Sequence, residues 1–431
     1  MIVHPSKNQV FRRTCYFMAS LILVSVAIGR IVYVKWGNLY LLDLSCYCAI
    51  SKALWQGLNP FPDHMEVLMF SYGEHVPIVY PGQMLLFALP GFLWSDAFQI
   101  GYLILNIIGV ILLTGVTLTR ACGFQWRDLT SPGRRQFVFA VCCFVFFSSW
   151  NVMTTMRIGQ ISVLLAACFY GIFWLKWPAG GRSVLFSLVA VCKYSLLPVV
   201  APLLFFKGHR KLCLVAFFIF LLFSLSPMLR GNSLRDIYVG YSQAVKVICS
   251  PGGVNHYDTQ SVLLHLAFFK KRLLNHILKS LCIGLILFLF WRERKSSCIS
   301  DTLMLLGFSL TLLVCYHGIQ DFSIVFPLFF IRLWYFAREK AWWRFGVTLF
   351  FPLYLCVPGR MLDMLASRIG AIPQLGTIVY LCDSWNHQYH HLFPIHAIFA
   401  IGLALWSSFL YVTVKETYRF EISPENTAGK V

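Results

Sequence analysis

The sequence predicts an all-α, polytopic integral membrane protein with about twelve transmembrane helices. Of its 431 residues, 58% are hydrophobic and only 12% are charged. Successive apolar segments reach the roughly 20 residues that a helix needs to cross the hydrocarbon core of a bilayer. A membrane β-barrel would instead show alternating strands of about ten residues, and that pattern does not occur. Composition and segment length therefore both predict helical spans.

The apolar segments set the order of the predicted elements. A basic stretch, residues 1–13, precedes the first span, so we expect the N-terminus in the cytoplasm. We predict spans at about residues 14–34, 77–94, 97–119, 136–150, 158–177, 183–206, 212–228, 273–291, 299–316, 322–336, 345–357 and 393–414. Twelve crossings return the tail to the cytoplasm. The expected organisation is one membrane domain over 1–431, with outer loops at 35–80, 230–260 and 359–391 and a cytoplasmic tail at 415–431.

The net charge of +19 arises from 36 Lys and Arg against 17 Asp and Glu. These basic residues form short clusters between apolar segments, which suits membrane topology and anionic lipid headgroups rather than nucleic acid. Most clusters fall on the cytoplasmic side. Arg120–Arg135 is the exception, because twelve crossings place it outside. We expect either re-entrant halves within spans 4 to 6 or another role for these arginines.

The first outer loop carries an unusual set of residues. Asp43 lies just past the end of span 1, and an amphipathic run with interfacial helix character follows it. Then come an Asn59-Pro60-Phe61 turn and Tyr80-Pro81 at the mouth of span 2. On its own, Asp43 suits a general base, a cation site or a solvated loop residue.

Two cationic positions lie within or beside predicted spans. Lys193 lies inside span 6, five residues before Pro198. A charge within a span is costly and faces a cavity or a partner, so it suits a phosphate site, although a lysine snorkelling to the interface gives the same pattern. Arg157-Ile158-Gly159-Gln160 opens span 5 and supplies guanidinium and amide donors. A plain helix start at the cytoplasmic edge explains that segment equally well.

Further polar residues occur in the later outer segments. His317 and Asp321 lie at the turn between spans 9 and 10, where His317 has a ring nitrogen for phosphate or sugar hydroxyls. A polar run, Asn255–Gln260, precedes a basic-tipped apolar helix, and another covers Asp383–His391. A simple solvated turn or loop is the alternative for each. No Cys/His cluster has zinc spacing, and no ligand set for another metal is evident.

Taken in order, these stretches resemble the GT-C superfamily of membrane glycosyltransferases and, within it, glycosyltransferase family 87. The resemblance covers about residues 35 to 330 and rests on the order and spacing of its motifs. Phe61 and Gly82 depart from the usual Tyr and Pro, and Pro198 lies two residues later than in the family pattern. The motifs are Asp43, Tyr47, Ala49, Gly57-Leu58-Asn59-Pro60-Phe61, Tyr80-Pro81-Gly82, Gly159-Gln160, Lys193–Pro198, Lys207–Lys211, Asn255–Ser261 and Tyr316-His317 with Gln320-Asp321.

The resemblance implies an inverting transfer from a polyprenyl-phosphate sugar to a hydroxyl of a lipid or glycan, with Asp43 as the general base. It implies that Lys193, Arg157 and His317 bind the donor phosphate. It further implies sugar or acceptor contacts from Tyr47, Asn59, Tyr80, Gln160, His256, Gln260 and Asp321.

The same resemblance implies the cellular setting. We expect a multi-pass protein of the bacterial inner membrane, with its active site on the periplasmic face and a role in envelope glycolipid synthesis. Mannose or a pentose is the expected sugar. The expected partners are the sugar donor, the acceptor and membrane lipids, without nucleic acid. No cofactor is predicted, although the superfamily allows a divalent metal.

Two other classes of function fit part of the pattern. A lipid or solute transporter would use Lys193 and Pro198 as a discontinuous-helix binding site, but the sequence has no repeated halves. An O-antigen-type polymerase or ligase would carry its largest loop late in the chain, whereas the most structured loop here comes early.

Overall fold

The structure is a computed structural model. It describes residues 7–36, 95–130, 133–149, 152–153, 155–156, 161–175, 179–192, 202–206, 209–225, 228–229, 231, 233–239, 242, 272–294, 299–314, 324–356 and 393–414.

Every regular element in this part of the chain is a helix, which agrees with the predicted all-α class. A 3-10 turn, Trp126–Leu129, lies between the second and third helices. The main helices are α1 (Lys7–Trp36), α2 (Ser95–Cys122), α3 (Arg134–Ser148), α4 (Ser162–Trp174), α5 (Ala179–Cys192), α6 (Arg210–Ser224), α7 (Arg272–Arg292), α8 (Asp301–Val314), α9 (Phe326–Arg338), α10 (Trp342–Cys356) and α11 (Phe393–Thr413).

Two described helices are long and apolar enough to cross a membrane, over Val10–Ala27 and Ile100–Cys122. The exposed helix faces are themselves apolar: Phe218 is 67% exposed and Ile22 is 60% exposed. Soluble proteins rarely expose apolar surface so extensively, whereas lipid contact requires it. The chain is therefore a membrane protein, while the count of twelve spans stays a prediction.

Several buried hydroxyl groups donate hydrogen bonds to backbone carbonyl oxygens of their own helix. The hydroxyls of Thr114 and Thr117 donate to the carbonyl oxygens of Val110 and Leu113, over 2.8 and 2.6 Å. Ser408 bonds in the same way to Ala404. Because the donor and acceptor belong to one helix, these polar side chains need no water in an apolar environment.

The described helices fall into two compact units. Unit 1 contains α1 to α4, α9 and α10, and unit 2 contains α5 to α8 and α11. The prediction of one membrane domain over the whole chain stays a prediction.

In unit 1, α1 and α3 run in the same direction. The rings of Tyr16 and Phe137 lie 5.5 Å apart, centroid to centroid, near the beginning of each helix. The more buried side of α1 continues from Tyr16 through Ser20 to Ala27, whereas residues 10–15 are exposed. Since α1 packs on α3, α3 must extend from Tyr16 towards Ala27. The two helices are therefore parallel.

The other contacts of unit 1 place the ends of α2 and α9 beside the beginning of α3. Leu118, near the end of α2, packs with Phe124 and Cys142, and Phe330 of α9 joins this cluster. At the opposite end of α3, the ring of Phe146 contacts Phe326, where α9 begins. Consequently α9 is antiparallel to α3, and the turn from α9 to α10 lies where α1 and α3 begin.

This arrangement collects the basic segments of unit 1 at one end, called the arginine end; the opposite end is called the far end. The described residues of the cluster Arg120–Arg135 therefore lie at the end of unit 1 at which α1 begins, whereas the predicted order of twelve alternating crossings places the cluster opposite the N-terminus. Helices α1 and α2 correspond to predicted spans 1 and 3. Alternating crossings would make these two helices parallel, whereas in the structure they are antiparallel. The described basic residues at the arginine end are Arg12, Arg13, Arg120, Arg127, Arg134, Arg135, Arg338, Lys340 and Arg344.

Unit 2 also has a basic end, at which α7 and α11 finish. The hydroxyl of Tyr411 in α11 donates to the carboxylate of Glu293, which follows α7. The guanidinium of Arg292 lies 5.0 Å from the centre of the Tyr411 ring. Phe206 contacts Phe290 of α7 at a centroid distance of 6.3 Å, which brings the turn before α6 to this end as well.

Candidate functional site

None of the predicted site residues is among the residues that the structure describes. This applies to the predicted base, the phosphate-binding residues and the sugar- or acceptor-binding residues alike, so their roles remain predictions. They are Asp43, Lys193, Arg157, His317, Tyr47, Asn59, Tyr80, Gln160, His256, Gln260 and Asp321. The structure nevertheless describes helices that are adjacent in sequence to several of these predicted site residues.

Two described segments meet the far end of unit 1. One is the end of α1, which precedes Asp43 in the sequence, and the other is the segment that follows Asp321 and leads into α9. Asp43 follows the end of α1, and α1 runs from the arginine end to the far end. Asp321 shortly precedes Ile324, which leads into α9 at the same far end. The chain segments that carry these two carboxylates are thus joined to the same end of one unit.

Tyr170 fixes the segment that leads into α9. Its side chain is fully buried, and its hydroxyl donates to the backbone carbonyl oxygen of Ile324 over 2.5 Å. The Tyr170 ring also stacks on Trp174, with centroids 4.3 Å apart. A buried tyrosine hydroxyl normally finds such a partner, and here the bond ties α4 to the chain that follows His317 and Asp321.

α4 begins halfway along α2 rather than at its end. Gly109, in the middle of α2, faces Leu164 in the first turn of α4 so closely that a Cβ on Gly109 would lie 2.8 Å from the Leu164 backbone nitrogen. The described residues on both sides of the predicted Arg157–Gln160 segment are buried, with Met156 at 1% and Ile161 at 7% exposure. The helix start therefore lies deep in unit 1.

In unit 2, α5 ends at Cys192, immediately before Lys193. The 14 described residues of α5 measure about 21 Å. The side chains of Phe186 and Val189 are buried on one side of α5, and α5 packs on α6. Lys193 follows Cys192 in the sequence and lies outside the described residues, so the predicted interruption of the span stays a prediction.

His209 is a buried histidine directly before α6, with 3% of its surface exposed. Burial, and to a smaller extent the positive charge of Arg182, lowers its pKa from 6.5 to about 4. Its ring contacts Phe206 at a centroid distance of 6.4 Å. At neutral pH this imidazole is therefore uncharged and forms part of the packing at the basic end of unit 2.

The sequence analysis missed a buried cation, Arg332. It lies within α9 between Phe326 and Trp334 and is only 4% exposed. Its signal in the sequence was a single arginine inside the apolar segment assigned to span 10. Charges within spans are rare and mark functional or structural polar contacts. Arg332 is therefore a buried cation of α9 for which the fold must supply polar contacts.

The described residues contain no group of three His, Cys, Asp or Glu side chains placed to hold a metal ion. The family model of glycosyltransferase family 87 matches residues 79–315. No curated protein matches the chain, and no solved structure matches it. The matched region includes Tyr80, Arg157 and Lys193, whereas Asp43 and His317 lie outside it.

Proposed function

The chain belongs to glycosyltransferase family 87, whose model matches more than half of its length, and we propose on that basis that it transfers a sugar from a polyprenyl phosphate to a hydroxyl group. The acceptor is a lipid or glycan of the cell envelope. Family membership makes the chain a glycosyltransferase. The donor, the acceptor and the catalytic residues are the part that we propose.

The orientation of unit 1 is the observation that supports this proposal. Cytoplasmic segments of membrane proteins are enriched in Lys and Arg, so the arginine end lies in the cytoplasm. The far end then lies outside the cytoplasm. The end of α1, which precedes Asp43 in the sequence, and the segment that follows Asp321 both lie at this far end. An outward-facing site suits a membrane-anchored donor, because no soluble nucleotide sugar is required there. The proposed membrane is the bacterial inner membrane, with the site on its periplasmic face.

Asp43 acts as the general base in the proposed reaction. Its carboxylate accepts the proton of the acceptor hydroxyl, which requires hydrogen-bonding distance between them. The hydroxyl oxygen forms a bond to C1 of the sugar as the bond from C1 to the phosphate oxygen breaks. Polyprenyl phosphate leaves with the electron pair. A single displacement inverts the configuration at C1.

Positive charge near the leaving phosphate lowers the barrier, because negative charge grows there in the transition state. Lys193, Arg157 and His317 are the residues that we assign to this role. The buried start of α4 supports the assignment of Arg157, since backbone N–H groups at a helix N-terminus also favour an anion. The position of Lys193 five residues before Pro198 within an apolar segment supports its assignment.

The remaining proposed contacts orient the sugar and the acceptor. Aromatic side chains of the first outer loop stack against sugar rings, and amide or imidazole groups bind hydroxyls. Mannose or a pentose is the proposed sugar. The residues assigned to these contacts are Tyr47, Asn59, Tyr80, Gln160, His256, Gln260 and Asp321.

A transfer assay with membranes tests the proposal directly. Membranes that contain the wild-type chain or Asp43→Asn receive a panel of radiolabelled polyprenyl-phosphate sugars, and incorporation into envelope lipid is measured. We expect the wild type to transfer one sugar of the panel and Asp43→Asn, at equal abundance, to lose that transfer. Asp63→Asn removes a carboxylate from the same loop and serves as the matched control, with transfer retained.

Each other result has a definite meaning. Transfer by Asp43→Asn at the wild-type rate would remove Asp43 from catalysis and direct attention to Asp321 or Asp258. Absence of transfer by the wild type from every polyprenyl-phosphate sugar would reject the proposed donor class. Movement of a labelled lipid across the membrane in that case would support a transporter instead.

A further inference from the structure

The arginine end of unit 1 contains a small cavity between α2, α3 and α9. Its volume is about 250 Å³, below the roughly 300–1,000 Å³ of pockets that enclose drug-sized ligands. A headgroup fits such a space, whereas a complete sugar–lipid donor does not. The lining residues are Leu118, Cys122, Phe124, Arg134, Arg135, Val138 and Trp334.

We propose that this cavity binds the phosphodiester headgroup of an anionic membrane phospholipid. The first argument is charge. Two arginines line the cavity, and the only carboxylate that pairs with either among the described residues is Asp128, whose oxygen lies 3.0 Å from the Arg135 guanidinium. Arg134 has no carboxylate partner among the described residues, so two arginines face the single negative charge of Asp128. The cavity therefore carries one net positive charge.

The loop geometry holds Arg135 in place. Asp128 accepts a hydrogen bond from the Gln125 backbone nitrogen over 2.9 Å, and both of its carboxylate oxygens accept from Arg135 Nη1. These bonds connect the 3-10 turn to the beginning of α3. Arg135, whose side chain is 61% exposed, is thus directed towards Asp128, and Arg134 is the cation of the lining that we assign to the phosphate.

The second argument is the apolar part of the lining. Leu118, Val138 and Trp334 provide a surface that a free inorganic anion does not need, but that the glycerol backbone and upper acyl chain of a lipid would cover. Trp334 is 37% exposed, and Trp126, Trp342 and Trp343 are also exposed at this end. Tryptophan is enriched at the level of lipid headgroups. The cavity therefore lies where headgroups occur.

The third argument is location relative to the bilayer. Basic pockets between transmembrane helices on the cytoplasmic side suit anionic headgroups, and the arginine end collects the basic residues of unit 1. The lipid site lies at the opposite end of unit 1 from the chain segments that lead to Asp43 and Asp321. It is thus distinct from the proposed transfer site.

Binding of short-chain lipids to the delipidated full-length protein in detergent tests the proposal. The probes are dioctanoyl phosphatidylglycerol, dioctanoyl phosphatidylcholine and inorganic phosphate. We expect the wild type to bind the anionic lipid more tightly than the other two probes. Arg134→Gln should weaken that binding about fivefold, the effect of one basic side chain at an anionic lipid surface. Arg127→Gln, an exposed arginine of the same loop outside the cavity lining, should change it less than about twofold.

A second pair of variants tests the cavity without changing charge. Val138→Phe fills the cavity from α3 and should reduce lipid binding, whereas Val145→Phe, at an exposed position of the same helix, should not. Equal weakening by Arg134→Gln and Arg127→Gln would overturn the proposal in favour of diffuse surface charge. Inorganic phosphate binding as tightly as the lipid, or wild-type lipid binding by Val138→Phe, would also overturn it.

Discussion

Gly109 of α2 and Leu164 of α4 are in such close contact that only glycine fits at position 109. A Cβ at this position would lie 2.8 Å from the Leu164 backbone nitrogen and 2.9 Å from its Cα. Backbone atoms cannot move aside as the end of a flexible side chain can. This contact sets the depth at which α4 begins.

Replacing Gly109 with alanine should therefore destabilise unit 1. Overpacking of a well-packed site costs typically about 1–3 kcal/mol, so we expect a lower apparent melting temperature for Gly109→Ala in detergent. Gly101→Ala is the matched control, because it lies on the same helix with no atom within 4 Å of an added Cβ. Equal melting temperatures for the two variants would contradict the close contact.

The parallel packing of α1 and α3 predicts that Arg120–Arg135 faces the cytoplasm together with the N-terminus. A site for a sequence-specific protease, inserted after the exposed Thr130, should be cut in inverted membrane vesicles and protected in intact spheroplasts. The same site before Met1 should behave identically, and one inserted after Asp63 should show the reverse. Cleavage after Thr130 only from the outside would refute the orientation of α3.

His209 should make stability depend on pH. Its folded-state pKa, about 4, lies below its ordinary value of 6.5, so the unfolded chain binds the proton more readily. The contribution of His209 to the free energy of unfolding is fully present above about pH 6.5. It decreases as the pH falls from 6.5 towards 4, because the unfolded chain then binds a proton that the folded chain does not. Thermal unfolding of the wild type and His209→Gln across this range should show a shallower pH dependence for the variant.

Arg182→Gln separates the two causes of the lowered His209 pKa. Since burial is the larger cause, this variant should reduce the loss of stability between pH 6.5 and 4 without abolishing it. A wild-type pH dependence in His209→Gln would show that other groups control stability in this range.

Lys193 should affect transfer through charge. Removing one group that stabilises transition-state charge lowers turnover by about 10²–10³ in well-studied enzymes, and we expect a loss of that order for Lys193→Gln in the labelled-sugar assay. Lys193→Arg should recover part of the activity. Lys211→Gln, an exposed lysine at the basic end of unit 2, should remain active. A fully active Lys193→Gln would exclude Lys193 from the phosphate site.

The helical class and the approximate positions of α1, α2 and α11 were predictable, because long apolar segments specify helices without reference to neighbours. The short helices were less predictable. α4 begins beside Gly109, at the middle of α2, and this depth depends on packing between helices that hydrophobicity alone does not specify. The predicted site residues came from motif order, and their arrangement in space stays a prediction.

The sequence by itself determined that this is a helical membrane protein with many more basic than acidic residues, because composition and segment length are properties of the chain alone. Only the tertiary structure decided that Arg12, Arg134 and Arg338 share one end of a unit. That result depends on which helices pack together and in which direction. The contact of Tyr16 with Phe137, between residues far apart in sequence, carries information that no local pattern contains.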